Sequence, residues 1–449
     1  MAFIFEHLHY YTCRTCSPYN FHLTILAMEV YRALGAFEAG VHLFNTLHVR
    51  HVQLDSLSWL LLPGAAASGL FAEAQQQCRD VMRFHRSAAR DAGDYSVKAL
   101  ESGNYTKAVA LAEFHTSRMV PSMQLHLARA DFAHWTLLLE HHAAADAVSY
   151  LEAVEAAQLR ESPQPFDDAA LSVNHDWSVV SSWDQAQPEQ DSRRCKAMLR
   201  RLKLRRALPR VLLRCLQGDS SSADLTAAAS DLSALHEGKQ SGSLEWLEST
   251  IERLCFSLVS CTAAACLCVM SDSEAKDADA ILELAACVGR LAVELAPPSG
   301  SDDVPGALLG SWLERVCCFV EEGASCVCLA LQAIAKSTEG NKKSKNKKGK
   351  KGTAGQDSAL AAAAQSLSEA TVDLFKQLKG ALEDRKTSLV PGILADKFSE
   401  GNSNFPVLAA SEFDEARAKV FGAVASSQAL SVGRLVQVID AKLSACGAL

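Results

Sequence analysis

The chain has 449 residues, 49% of them apolar and 21% charged, with a formal net charge of −8. That length suits about three ordinary domains or one extended solenoid, and the acidic balance argues against nonspecific nucleic-acid binding by the chain as a whole. Aromatics at 7%, 12 prolines and no run of β-branched residues between turn signals argue against a sheet protein and predict an all-α fold.

The first residues are apolar and aromatic, with Phe3, Phe5, Tyr10 and Tyr11 close together. A solenoid end normally carries a polar capping unit, so this stretch predicts further units upstream and self-association through residues 1 to 30. From residue 21 an internal repeat sets in. Gly35, Gly69 and Gly103 stand 34 residues apart, with Phe37, Phe71 and Tyr105 two places on and Gly40, Ala74 and Ala108 five places on. A 34-residue period is that of a tetratricopeptide (TPR)-like helix pair, in which the glycine ends the first helix in a left-handed conformation. The aromatic fills the space between helices, and the small residue lets the second helix approach the first.

Each unit is expected as a helix pair, residues 21–34 and 37–47 in the first. Between the first two units Asp55 or Ser56 is expected to cap a helix that Pro63 interrupts. A further pair spans 119–140 and 143–155, where the spacing has drifted. The repeats are therefore assigned to residues 1–160. Residues 161–190 form an irregular connector pinned by Trp177 and Trp183. The helical region 191–336 opens with a basic helix, expected to break near Pro209, that carries Arg200, Arg201, Lys203, Arg205 and Arg206 away from its apolar face. These five make either a solvated face or an anion-binding surface for RNA or the ribosome. Apolar stripes recur at Leu244, Leu247, Ile251, Leu254 and Leu258, and at Ile281, Leu284, Val288, Leu291 and Leu295. Residues 337–357, centred on the lysine block from Lys342 to Lys351, lack an apolar face and are expected as a disordered loop. Region 358–449 resumes with Leu367, Leu374, Leu378 and Leu382 and ends in two helices, near 409–425 and 432–443.

The 15 cysteines are scattered through helical patterns and read as reduced, buried thiols of a cytoplasmic protein. Cys13 and Cys16 have no second pair at zinc spacing, so no metal site is expected. The longest uncharged runs, residues 56–72 and 254–270, fall short of the ~20 residues that span a bilayer. No phosphate-cradling glycine loop, His-Glu-x-x-His pair or nucleophile elbow is present, which leaves no catalytic or cofactor-binding residues to assign. The run from Arg32 to Gly35 imitates the acetyl-CoA loop of GNAT acetyltransferases, but Phe37 stands where the backbone must approach pyrophosphate, and the strand such a loop follows is absent.

Residues 34–38, Leu43-Phe44, the run His51 to Leu61, residues 101–107 with Phe114, and the connector 174–184 together resemble the auxiliary subunit of the NatB N-terminal acetyltransferase. That resemblance implies a non-catalytic TPR-like α-solenoid that wraps a GNAT-fold catalytic subunit. The partner would acetylate nascent chains beginning Met-Asp, Met-Glu, Met-Asn or Met-Gln. The alternatives are a generic TPR adaptor for another assembly and an RNA-binding helical protein.

Overall fold

The computed structural model describes residues 17, 19–161, 170–179, 187–217, 254–265 apart from 256, 260 and 263, 278–297, 306–348, 354–388 and 414–447. Among them no strand forms, and an isolated bridge between Ser122 and Ser172 is the extent of β pairing. The repeat region comprises α1 (Phe21–Ala33), α2 (Phe37–Thr46), α3 (Val52–Leu57), a 3₁₀ turn at Ser58–Leu60, α4 (Leu62–Ala67), α5 (Phe71–Glu101), α6 (Tyr105–Phe114), a π-type turn at His115–Met119, α7 (Met123–Glu140) and α8 (Ala144–Glu161). After a 3₁₀ turn at Trp177–Val179 come α9 (Gln187–Gln217), α10 (Asp279–Glu294) and α11 (Gly306–Phe319). A π-type turn at Val320–Ala324 leads into α12 (Ser325–Lys348), followed by α13 (Ala354–Ser388) and α14 (Asp414–Gly447). The result is an all-α solenoid.

Helix starts follow local chemistry. The Asn20, Asn104 and Ser122 side chains accept hydrogen bonds from the backbone N–H groups of Leu23, Lys107 and Leu125, satisfying donors that the first turn leaves free. Asp55 and Ser56 are not caps: both lie inside α3, and Pro63 sits in the first turn of α4, where its missing N–H costs nothing.

Four expectations are corrected. The second and third units do not turn between helices, because α5 runs unbroken for 31 residues. Residues 88–92 are alanine-rich and carry no proline, and Gly93 alone does not stop a helix. Between α2 and α3, by contrast, His48 and His51 adopt positive φ (50° and 54°) and the chain turns. Second, α9 passes through Pro209. The cost of an interior proline, ~3 kcal/mol, is met by packing on either side of it, where Leu208, Val211, Leu212 and Leu216 are buried with Leu137, Leu151 and Leu329. Third, the lysine block is helical as far as Lys348. Lysine is a good helix former, and α12 extends a long helix that the core has already nucleated. Fourth, the two expected terminal helices are one, α14, in which Ser427, Gln428 and Ser431 are buried rather than in a loop.

The apolar stripes land as expected. Ile281, Leu284, Val288, Leu291 and Leu295 are buried, as are Leu367, Leu374, Leu378 and Leu382. One continuous core runs from Ile25 and Phe37 through Leu284 and Trp312 to Leu435 and Cys446, so the C-terminal helices pack on the repeats. The segment Trp312–Lys336 is long and apolar enough to cross a bilayer, but 83% of its apolar window is buried inside the protein, which makes it a core helix. The aromatic stretch at residues 2–11, Trp183, the stripe residues Leu244 to Ile251, Cys13, Cys16 and the end of the lysine block lie outside the described residues.

Candidate interaction surface

The three repeat glycines adopt left-handed φ of 64°, 69° and 68° at Gly35, Gly69 and Gly103. Each ends its helix with the same pair of bonds. The glycine N–H donates to the carbonyl of Arg32, Ala66 or Leu100, and the next N–H reaches back to Tyr31, Ala65 or Ala99. This is the Schellman arrangement, which satisfies the last carbonyls of a helix. Phe37, Phe71 and Tyr105 are the first residues of the helices that follow. The small residue has a different partner from the one the repeat suggests. A Cβ on Gly40 would lie 2.7 Å from the ring of Phe37 one turn earlier, and a Cβ on Gly64 of α4 would lie 2.5 Å from it. Phe37 is therefore sandwiched between two glycines, one on its own helix and one on the next unit.

The last helix covers the first two turns. On α14, the Gln428 amide donates to the Leu34 carbonyl at 2.7 Å and Ser427 Oγ accepts from the Glu38 N–H at 2.9 Å. Seven residues on, Leu435 packs where a Cβ on Gly69 would be, 3.1 Å away, and Arg434 pairs with Glu73. Seven helical residues rise about 10.5 Å, so α14 meets successive turns with one face.

The third turn is bare. Gly103 is exposed with nothing within 4 Å of its Cβ position, because α5 carries it some 45 Å from Gly69 at 1.5 Å per residue. The far half of α5 and α6 form a projecting hairpin on which Tyr95, Leu100, Tyr105, Val109 and Phe114 are exposed. A groove of about 430 Å³ at its tip is lined by Tyr95, Lys98, Ala99, Ser102, Asn104, Lys107 and Leu111.

The basic helix faces inward more than its composition suggests. Arg205 is fully buried, its guanidinium 2.8 Å from Glu321 and 2.6 Å from Glu322, with Asp131 at 3.5 Å. Arg201 bonds Asp131 at 3.1 Å and Glu321 at 2.8 Å. Glu321 also accepts from Trp135 Nε1 at 3.0 Å, and its carbonyl accepts from His134 Nε2 at 2.6 Å. Burial works against the charge on Glu321, but Arg201 and Arg205 hold its carboxyl below the usual value. Burial and the Glu321 charge push Glu322 up to about 7. Burial and Arg205 keep His134 neutral. These two arginines thus tie α7, α9 and the Val320–Ala324 turn together and are not an anion surface. Arg200, Lys203 and Arg206 remain half-exposed, each engaged in an interaction of its own.

A second buried knot centres on Asp55. Its carboxylate meets His85 Nε2 at 2.7 Å and accepts from Ser122 Oγ at 2.6 Å and Asn174 Nδ2 at 2.7 Å. Burial opposes its charge, yet the His85 and Ser122 hydrogen bonds hold it below the ordinary carboxylate value. The Asp176 N–H donates to the Ser56 carbonyl, so the connector is pinned here through Asn174 and Asp176 more than through Trp177. The partners of Asp55 lie 30, 67 and 119 residues away, so no local pattern marked it. Its sequence signals were its place in a run resembling a known family and a helix-cap role that it does not play.

Every described cysteine is a free thiol, and among the described residues no group of His, Cys, Asp and Glu could hold a metal ion. Burial pushes the Cys78 and Cys317 thiols well up. The run imitating an acetyl-CoA loop is the end of α1 and its turn, preceded by a helix rather than a strand.

Comparison with known proteins bears on the same residues. Residues 8–177 match the family described as the N-acetyltransferase B complex (NatB) non-catalytic subunit. The chain is similar to N-alpha-acetyltransferase 25, NatB auxiliary subunit, of Mus musculus, at 34% identity over 174 residues, which is 38% of this chain and 17% of that protein. The Homo sapiens counterpart is 33% identical over the same shares, and a phagocyte signaling-impaired protein of Aedes aegypti is 24% identical over 166 residues. The match thus spans only about a sixth of the length of these relatives. Two solved NatB acetyltransferase complexes share the fold. The one bound to a bisubstrate inhibitor aligns over 97% of this chain and 50% of its own, with a TM-score of 0.58 at 12% identity. The one bound to CoA and MES aligns with a TM-score of 0.54 at 12% identity.

Proposed function

We infer that this chain, whose residues 8–177 match the family of NatB non-catalytic subunits, is a scaffold that binds a GNAT-fold catalytic subunit and positions it on nascent proteins. The observation that carries this reading is where the family match falls. It covers the three glycine turns and the whole Asp55 knot, the parts of the chain that set the path of the solenoid. A rigid array of helix pairs presents a large concave surface suited to holding a folded partner. On this reading the chemistry resides in the partner, the substrates begin Met-Asp, Met-Glu, Met-Asn or Met-Gln, and the complex works in the cytoplasm. Any contact with the ribosome falls to Arg200, Lys203, Arg206 and the lysine block, since Arg201 and Arg205 are engaged internally.

Co-expression with a NatB-type catalytic subunit tests the proposal. The two should co-purify as a stoichiometric complex, and acetylation of a Met-Asp peptide should rise over that of the catalytic subunit alone. The isolated chain should show no heat of acetyl-CoA binding in calorimetry. Failure of the two chains to associate, or saturable micromolar acetyl-CoA binding by this chain alone, would overturn the reading.

A further inference from the structure

The three turns share one backbone motif and differ in what lies on them. Gly35 and Gly69 are buried beneath α14 of the same chain, whereas Gly103 is exposed. We propose that the third turn, at the tip of the α5–α6 hairpin, is a docking site for an acidic amphipathic helix of a partner protein. The chain supplies its own precedent for the binding mode. At the second turn the visitor is a helix that lays an apolar side chain over the glycine and pairs a charge with the residue four places after it.

Transposed by 34 residues, the same positions define what the third turn selects. The glycine surface is Gly103, flanked by exposed Tyr95 and Tyr105. The residue equivalent to Glu73 is Lys107, so the charge is reversed. Lys98 lines the same groove, its ammonium 5.5 Å from the centre of the Tyr95 ring. The N-terminus of α6 adds positive potential to the two lysines. A helix with the form of α14 but with a carboxylate where α14 carries Arg434 is therefore the complement, and α14 itself is rejected by like charge. The proposal stands whether or not the catalytic subunit binds elsewhere on the solenoid.

A fluorescein-labelled synthetic peptide of residues 420–440 carrying Arg434→Glu, titrated with the full chain at low ionic strength, tests it by anisotropy. Saturable binding is expected, weakened roughly tenfold by the Lys98→Glu, Lys107→Glu double variant, which should prefer the unaltered Arg434 peptide instead. Tyr105→Ala, at an exposed position, should also weaken binding while leaving the melting temperature unchanged. No saturation up to millimolar chain, equal affinity of the two peptides for the unmodified chain, or indifference to the double variant would each overturn the proposal. A change in oligomeric state of the double variant, seen by light scattering without peptide, would overturn it in favour of a second copy of this chain as the occupant.

Discussion

At the residue scale, two glycines with nearly the same φ should tolerate substitution differently. Gly103→Ala carries only the backbone strain of a left-handed residue, about 1 kcal/mol, because its Cβ would enter open space. Gly69→Ala adds a clash with Leu435, so it should cost about 2 kcal/mol or more, and the two melting temperatures should separate accordingly. Equal shifts would mean that α14 does not rest on the second turn. Lys442 offers a change of opposite sign. Its ammonium is buried among Cys328 and Cys446 with no hydrogen-bond partner, and burial pulls it down from near 10.5 to about 8. Between those values the unfolded chain holds the proton and the folded chain does not, so stability should rise with pH through that window. Below pH 8 the full cost of the buried charge remains. Lys442→Met should therefore stabilise the protein at pH 7 by up to roughly 3 kcal/mol, with the gain fading by about pH 10.5. Denaturant melts of both proteins at pH 7 and pH 10 would show it, and a pH-independent difference would refute the assignment. The glycines were legible in the sequence because a left-handed turn is decided by the residue that occupies it. Lys442 was not, since nothing in its neighbours along the chain says that a cation will be buried against the Cys328 thiol of another helix.

At the scale of elements, what holds α7, α9 and the Val320–Ala324 turn in place is a cluster of charge as well as an apolar seam. Removing one carboxylate from it should be severe. Glu321→Ala removes the carboxylate that Arg201 and Arg205 share and the acceptor of Trp135 Nε1, and the loss of one partner of a buried pair typically costs about 3–5 kcal/mol. Replacing Glu321 and Arg205 together with apolar residues of similar size should recover part of that cost, because the buried guanidinium goes with its partner and Glu322, already pushed up to about 7, can stay protonated. A double variant no more stable than Glu321→Ala would show that the pair contributes through something other than mutual neutralisation. Nothing in the local pattern anticipates this cluster. Arg201 and Arg205 share a helix with other basic residues, which reads as a charged surface, and the carboxylates that claim them lie 70 to 120 residues away. The fusion of two repeat helices into α5 was hidden for a related reason. Repeat periodicity records where turns are required, at the glycines, but the turn between units has no obligatory residue, and an alanine-rich stretch simply continues the helix.

At the scale of the whole molecule, the first and last helices belong to one core, and that fixes how the chain should respond to being cut. Composition divides it at the connector and again at the lysine block, as if the C-terminal region were an appendage. Packing does not follow those divisions. Leu367, Phe375 and Leu382 of α13 and Leu435 and Ile439 of α14 are buried in the same cluster as Met28, Phe37 and Leu70 of the repeats. α14 also bonds the first turn through Ser427 and Gln428 and packs on the second through Leu435. A specific protease site inserted between Lys348 and Ala354 should therefore yield two fragments that stay together, eluting at the position of the intact chain in native buffer and separating only in denaturant. Burial of several leucines at ~1.5–3 kcal/mol each, shared across the cut, far exceeds what a tether of a few residues contributes to association. The released C-terminal fragment should leave the repeats aggregation-prone when it is stripped off in urea and not returned, because the face that carries Leu435 is the one that covers Gly69. Fragments that part spontaneously in native buffer would mean that the repeats and the C-terminal helices are separable bodies.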